Sequence, residues 1–152
     1  IKKLTNNKKE AQKAFSKSIE CFNGNINAVL NFVKLNKSIY GKQKSIKVLK
    51  DALYISPHPD LLKELIKRNN FKSSGENVSY AINLLKDKEI IKHNQNEIRI
   101  LVAEYAIKEK IWGEAKRILE DIPKQELNHK AYQLMIQTFS LQDSHQNWFL
   151  HD

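Results

Sequence analysis

Apolar residues recur at spacings of three and four along nearly the whole chain, the pattern of helices that each bury one face. Over roughly 6–22 the series is Ala11, Ala14, Phe15, Ile19 and Phe22, with Lys9, Lys13 and Lys17 on a separate wet stripe. Asn23-Gly24-Asn25 stops that helix, because Gly and Asn tolerate the left-handed conformation a helix end requires. A second helix is predicted from about Asn27 to Tyr40, carrying Val29, Leu30, Phe32, Val33 and Leu35, with Gly41 as its breaker. A third, about 43–55, carries Ile46, Val48, Leu49, Ala52, Leu53 and Ile55 and ends at Pro57 and Pro59, which remove backbone donors. Asp60–Arg68 reads as a short helix capped by Asp60.

Ser73 and Glu76 have the spacing of a capping box, and open a helix of about 75–92. Asn94 and Glu97 repeat that signal before a helix of about 95–110. Trp112–Glu120 follows, then a helix from Asn128 or His129 to Leu141. Asp143-Ser144-His145-Gln146 reads as a cap for a last helix bearing Trp148, Phe149 and Leu150. No segment alternates as a half-buried strand does, and four glycines with three prolines supply too few turn signals for an all-β fold. The predicted class is all-α, with about eight to nine helices.

The helix between Glu97 and Lys110 constrains the arrangement. One face carries Ile98, Leu101, Val102 and Tyr105, and the other carries Ile100, Ala103 and Ile107. A helix apolar on both sides must be covered on both sides, as happens between neighbours in a stack. Self-similarity points the same way. A small residue followed four later by a bulky one recurs as Ala11/Phe15, Ser45/Leu49, Ala81/Leu85 and Ala115/Leu119, at steps of 34, 36 and 34 residues. The small residue lets paired helices approach, and the bulky one fills the gap to the next pair. A period of ~34 with that step is the tetratricopeptide pattern, and Pro57 falls where such a unit closes. The expectation is one helical-repeat domain over 1–152, a right-handed superhelical stack with units roughly 1–23, 27–57, 60–92, 95–122 and 128–150.

These residues also resemble a family. Ser45–Leu61, with Lys47-Val48-Leu49, Ala52 and Pro57-His58-Pro59-Asp60-Leu61, is similar to the "A-x-K-V-L-E-x-A…P-H-P-D-L" segment of HemY-like tetratricopeptide-repeat proteins. Leu101-Val102-Ala103-Glu104-Tyr105-Ala106, followed by Trp112-Gly113-Glu114-Ala115, resembles that family's "L-A-E-A-A…D-W-x-x-A" unit. Ala131-Tyr132-Gln133-Leu134 and Trp148 are placed as in its next unit. The resemblance covers about 27–150. It implies the soluble region of a bacterial inner-membrane protein on the cytoplasmic side, anchored by N-terminal helices and associated with late haem biosynthesis. Two departures stand out: Lys110-Ile111 replaces the usual turn glycine before Trp112, and the chain stops before the family's distal tail. The opening Ile1-Lys2-Lys3 likewise reads as part of a longer protein.

Charge adds a second possibility. The formal net charge is +9, and residues 1–50 hold 12 lysines against Glu10 and Glu20. Such an asymmetry can mark a surface facing anionic lipid or phosphate. Yet lysine outnumbers arginine 23 to 3, and arginine is the residue suited to bidentate phosphate and base contacts. Nucleic acid is therefore the less favoured anionic partner. A run long and apolar enough to span a bilayer is absent from the sequence.

Candidate chemistry is sparse. His58-Pro59-Asp60 matches the tripeptide of J-domain co-chaperones, but its setting between Ser56-Pro57 and Leu61-Leu62 predicts a helix stop and a cap. The histidines, His58, His93, His129, His145 and His151, show no HExxH spacing, and Cys21 has no cysteine partner. Asp143, His145, His151 and Asp152 lie close together in sequence and read as a cap and solvated groups. Cys21 reads as a small buried hydrophobe. No P-loop, GxSxG or GxGxxG occurs. The expected function is therefore a non-catalytic protein-interaction scaffold without cofactor or metal. Its groove candidates are Asn27, Lys34 and Lys37 in one unit and Glu104 and Lys108 in another, lysines there meeting carboxylates of a peptide or partner helix. The alternative is docking of residues 1–50 on anionic membrane or nucleic acid.

Overall fold

A computed structural model describes residues 7–11, 13, 14, 17, 25–35, 39–69, 73–91 and 95–150. Among them the structure is helical, with no strand. The chain divides into two compact units, Ile1–Phe71 and Lys72–Asp152.

In the first unit the described residues of 7–17 are helical, and three further helices follow: α1 (Ile26–Leu35), α2 (Ile39–Ile55) and α3 (Pro59–Arg68). Asn25 starts α1, its Oδ1 accepting from the Ala28 N–H at 3.1 Å. That bond satisfies one of the backbone donors a helix start leaves open. Ala28, Val29, Phe32 and Val33 form the buried stripe of α1. Ser45, Leu49, Ala52 and Leu53 form that of α2, and Leu61, Leu62 and Leu65 that of α3. Packing joins α2 to both α1 and α3, and α1 to α3. Burying each Leu or Phe fully is worth about 1.5–3 kcal/mol, so this shared core holds the unit.

Two local expectations change. Gly41 does not break a helix: it lies buried within α2, where tertiary packing overrides a helix-propensity cost of about 1 kcal/mol. The cap of α3 is His58 rather than Asp60. Its Nδ1 accepts from the Asp60 N–H at 3.1 Å, and Pro59 takes the first helical position, where its missing N–H costs nothing. Helix stop and cap are thus the roles this tripeptide plays.

The second unit contains α4 (Ser74–Leu84), α5 (Lys88–Ile91), α6 (Asn96–Lys108), α7 (Trp112–Glu120), a 3-10 turn (Lys124–Glu126) and α8 (His129–Leu150). Ser73 caps α4 as its spacing predicts, the hydroxyl accepting from the Glu76 N–H at 3.3 Å. The expected 75–92 helix is split. Lys86 N–H bonds back to the Asn83 carbonyl and Asp87 N–H to that of Leu84, tight closings that end α4. At the start of α6 the cap position is Gln95, without a side-chain bond, and Asn94 lies outside the described residues. Asn128 Oδ1 accepts from the Ala131 N–H at 2.8 Å and starts α8. That helix runs on through 143–146, where a new cap was expected, as a single element of 22 residues.

The α6–α7 joint is a backbone device. Lys110 N–H bonds to the Ile107 carbonyl at 3.0 Å and Ile111 N–H to that of Ala106 at 2.8 Å, the paired closure of a Schellman motif. The residue in its left-handed position is Lys110, at φ 61°. Glycine usually occupies that place because a Cβ there is strained. The replacement noticed in the sequence therefore sits at the joint's one conformationally demanding position.

Candidate functional site

The sequence-predicted groove residues fall into separate units. Asn27 and Lys34 are exposed on α1, and Lys37 lies outside the described residues. Glu104 and Lys108 are brought together on α6 at 3.8 Å. Glu104 also takes Lys130 of α8 at 2.9 Å, so this half-buried carboxylate bridges two helices. Beside it, burial raises the pKa of the Tyr105 phenol above its ordinary 10.0, and the Glu104 charge raises it further.

The core of the second unit follows from the two-faced α6. Ile98, Ile100, Leu101, Val102, Ala103, Ala106 and Ile107 are all buried, and α6 packs on α4, α7 and α8. Of the repeat's small residues, Ser45, Ala81 and Ala115 are fully buried and Ala11 is half-buried, whereas Phe15 of the first pair lies outside the described residues.

Helix α8 is built on the same two-faced plan with a different outcome. Ala131, Leu134 and Thr138 face the core, and the Thr138 hydroxyl satisfies itself on the Leu134 carbonyl at 2.7 Å. About a third of a turn around the helix, Tyr132, Ile136 and Phe139 are 50%, 66% and 44% exposed. Their spacing of four and three makes one continuous apolar stripe. Lys116 of α7 sets its ammonium 5.0 Å from the Phe139 ring centre, placing a cation at the edge.

A second feature of this unit was not foreseen from sequence. Leu85 and Lys86 at the end of α4, Arg99 on α6, and Arg117, Ile118 and Asp121 on α7 and its end line an open cleft of about 490 Å³. Two of the chain's three arginines therefore face it. Arg117 is occupied: its Nη2 lies 2.8 Å from Glu114 and its Nη1 3.7 Å from Asp121. Arg99 is held differently, donating through Nη1 to Asn96 Oδ1 at 3.1 Å. Asn96 in turn donates its amide to the Glu126 carboxylate. That carboxylate only accepts, so it fixes the Asn96 NH2 toward itself and the carbonyl oxygen toward Arg99. A neutral group thus orients the guanidinium, and the nearest carboxylate of this chain of bonds, Glu126, reaches it only through Asn96. No local spacing signals this, since Asn96 and Glu126 stand 30 residues apart.

Among the described residues no group of three or more His, Cys, Asp or Glu is placed to hold a metal ion. Cys21, His93, His151 and Asp152 lie outside the described residues, as do the side chains of Asp143, His145 and Trp148. No helix among the described residues is long and apolar enough to cross a membrane. Comparison with protein-family models, curated proteins and solved structures returns no match to the chain.

Proposed function

We propose that this chain is a protein-interaction scaffold, built as a tetratricopeptide-like stack of helical hairpins that performs no chemistry itself. The carrying observation is the exposed stripe of Tyr132, Ile136 and Phe139 on α8, the counterpart of a face that α6 buries completely. An apolar row at helical spacing suits the apolar face of an amphipathic helix, and Lys116 at its edge already pairs with Glu120 at 3.9 Å. The buried small residues Ser45, Ala81 and Ala115, at steps of 36 and 34, support the repeat reading. The HemY-like resemblance adds a proposed setting, the cytoplasmic side of a bacterial inner membrane.

Two measurements test this. A photo-crosslinking residue at Ile136 in the intact parent protein is expected to capture a discrete partner that the same residue at Lys124 does not; equal capture at both sites sinks the docking face. In solution scattering, a compact globule of this length has a radius of gyration of about 15 Å. The stack is expected to exceed that value clearly, and a result at it removes the solenoid.

A second reading rests on Lys8, Lys9, Lys13 and Lys17, which are exposed on the helical residues of the first unit. Docking on anionic vesicles that weakens steeply with salt and vanishes when these lysines are neutralised is its expected signature.

A further inference from the structure

We infer that the cleft between the end of α4, α6 and α7 is a binding site for a single carboxylate carried on an aliphatic group. It deepens the scaffold reading by giving the partner a second, chemically specific anchor. Three cations, Lys86, Arg99 and Arg117, line the cleft with one carboxylate, Asp121; Glu114 stands beside Arg117, and the Glu126 carboxylate reaches Arg99 only through Asn96. Asp121 in the wall repels a phosphate dianion more than a carboxylate monoanion.

Direct pairing is uneven. Glu114 and Asp121 both pair with Arg117. Lys86 is exposed and has no side-chain partner among the described residues, and Arg99 has only the neutral Asn96 oxygen. Holding Arg99 by one Nη1 proton leaves the rest of its planar donor fork for a ligand, in the geometry that matches a carboxylate. The Glu126–Asn96–Arg99 chain aims that fork before anything binds, which lowers the ordering cost of recognition. Leu85 and Ile118 complete the lining with aliphatic surface for the group that bears the carboxylate. Either the C-terminal residue of a polypeptide or an acidic side chain beside an apolar one supplies this chemistry.

The test uses the full 152-residue chain, labelled with nitrogen-15, and follows the Arg99 Nε–H resonance. N-acetyl-leucine is expected to shift it saturably, and N-acetyl-leucinamide to leave it unmoved. Loss of a charge-assisted contact in Lys86→Gln, which is exposed, is expected to weaken binding roughly tenfold, and Arg99→Lys, read on the Ile118 backbone amide, is expected to do the same. Asn96→Ala tests positioning: weaker binding with an unchanged unfolding midpoint supports the relay. Acetyl-Gly-Glu-Leu-amide, which offers only a side-chain carboxylate, distinguishes the two sources by its affinity relative to N-acetyl-leucine. Equal shifts with acid and amide, a response to inorganic phosphate alone, or no saturable shift in the folded protein each overturn the site. Because the Ile136 crosslink reads a different face, failure here leaves the docking helix standing, and failure there leaves the cleft standing.

Discussion

Helices α6 and α8 lie in the same unit and are both apolar on two sides, yet they meet opposite fates. In α6, seven apolar side chains are buried under three neighbouring helices. In α8, Ala131, Leu134 and Thr138 are covered while Tyr132, Ile136 and Phe139 stand in water. Periodicity therefore reports how many faces a helix needs covered, and the tertiary neighbours decide how many are. An uncovered second face is where binding can still recover the hydrophobic free energy that folding left unused.

The comparison breaks most sharply by paired truncation. Ile98→Ala, on α6, is expected to cost about 3 kcal/mol of stability, because it removes a 1%-exposed side chain and leaves a cavity. Ile136→Ala, on α8, should change stability by no more than about 0.5 kcal/mol, since its side chain is already wet. Urea unfolding of the two variants checks this, and equal losses would mean that the α8 stripe is structurally covered.

A smaller effect is expected where α6 ends. Lys110→Gly relieves roughly 1 kcal/mol of left-handed strain but enlarges the unfolded ensemble, for a net gain of about 0.5 kcal/mol. A higher thermal midpoint is the expected result; a lower one would show that the lysine side chain earns its place by other contacts.

The smallest effect is confined to alkaline solution. The raised pKa of Tyr105 means that the unfolded chain ionises first, near 10.0. The phenol's contribution is thus complete below that pH and is lost as pH rises toward the higher folded value. Tyr105→Phe should abolish that part of the decline as pH rises through 10.0, seen as a flatter curve of stability against pH than the parent's. An identical slope in both proteins would contradict it.

Much of the helical framework was legible from local signals. The Ser73 cap, the proline stop before α3, the Asn128 start of α8 and the two-faced character of α6 all appear as expected, because each depends on residues within a turn or two. What sequence missed depends on distant neighbours. Gly41 passes as a breaker until its burial in α2 is seen. Asp143-Ser144-His145-Gln146 has the composition of a cap, yet the backbone continues helically through it. The cleft is the clearest case. No local spacing singles out Arg99 and Arg117, which lie on separate helices, and only the fold shows that one pairs directly with carboxylates and the other does not. The sparse use of arginine was the one available hint, since lysine fills nearly every other basic position.

The main-chain lock at Lys110 has a consequence for the order of events during folding. Bonds spanning only a few residues close the α6–α7 corner, so little loop entropy is lost in bringing these two helices together. Residues 129–150 leave the ribosome after this hairpin and reach α6 from further along the chain. Until they arrive, part of α6 waits bare, and the nascent protein briefly offers the kind of surface that α8 keeps on display once folding is complete.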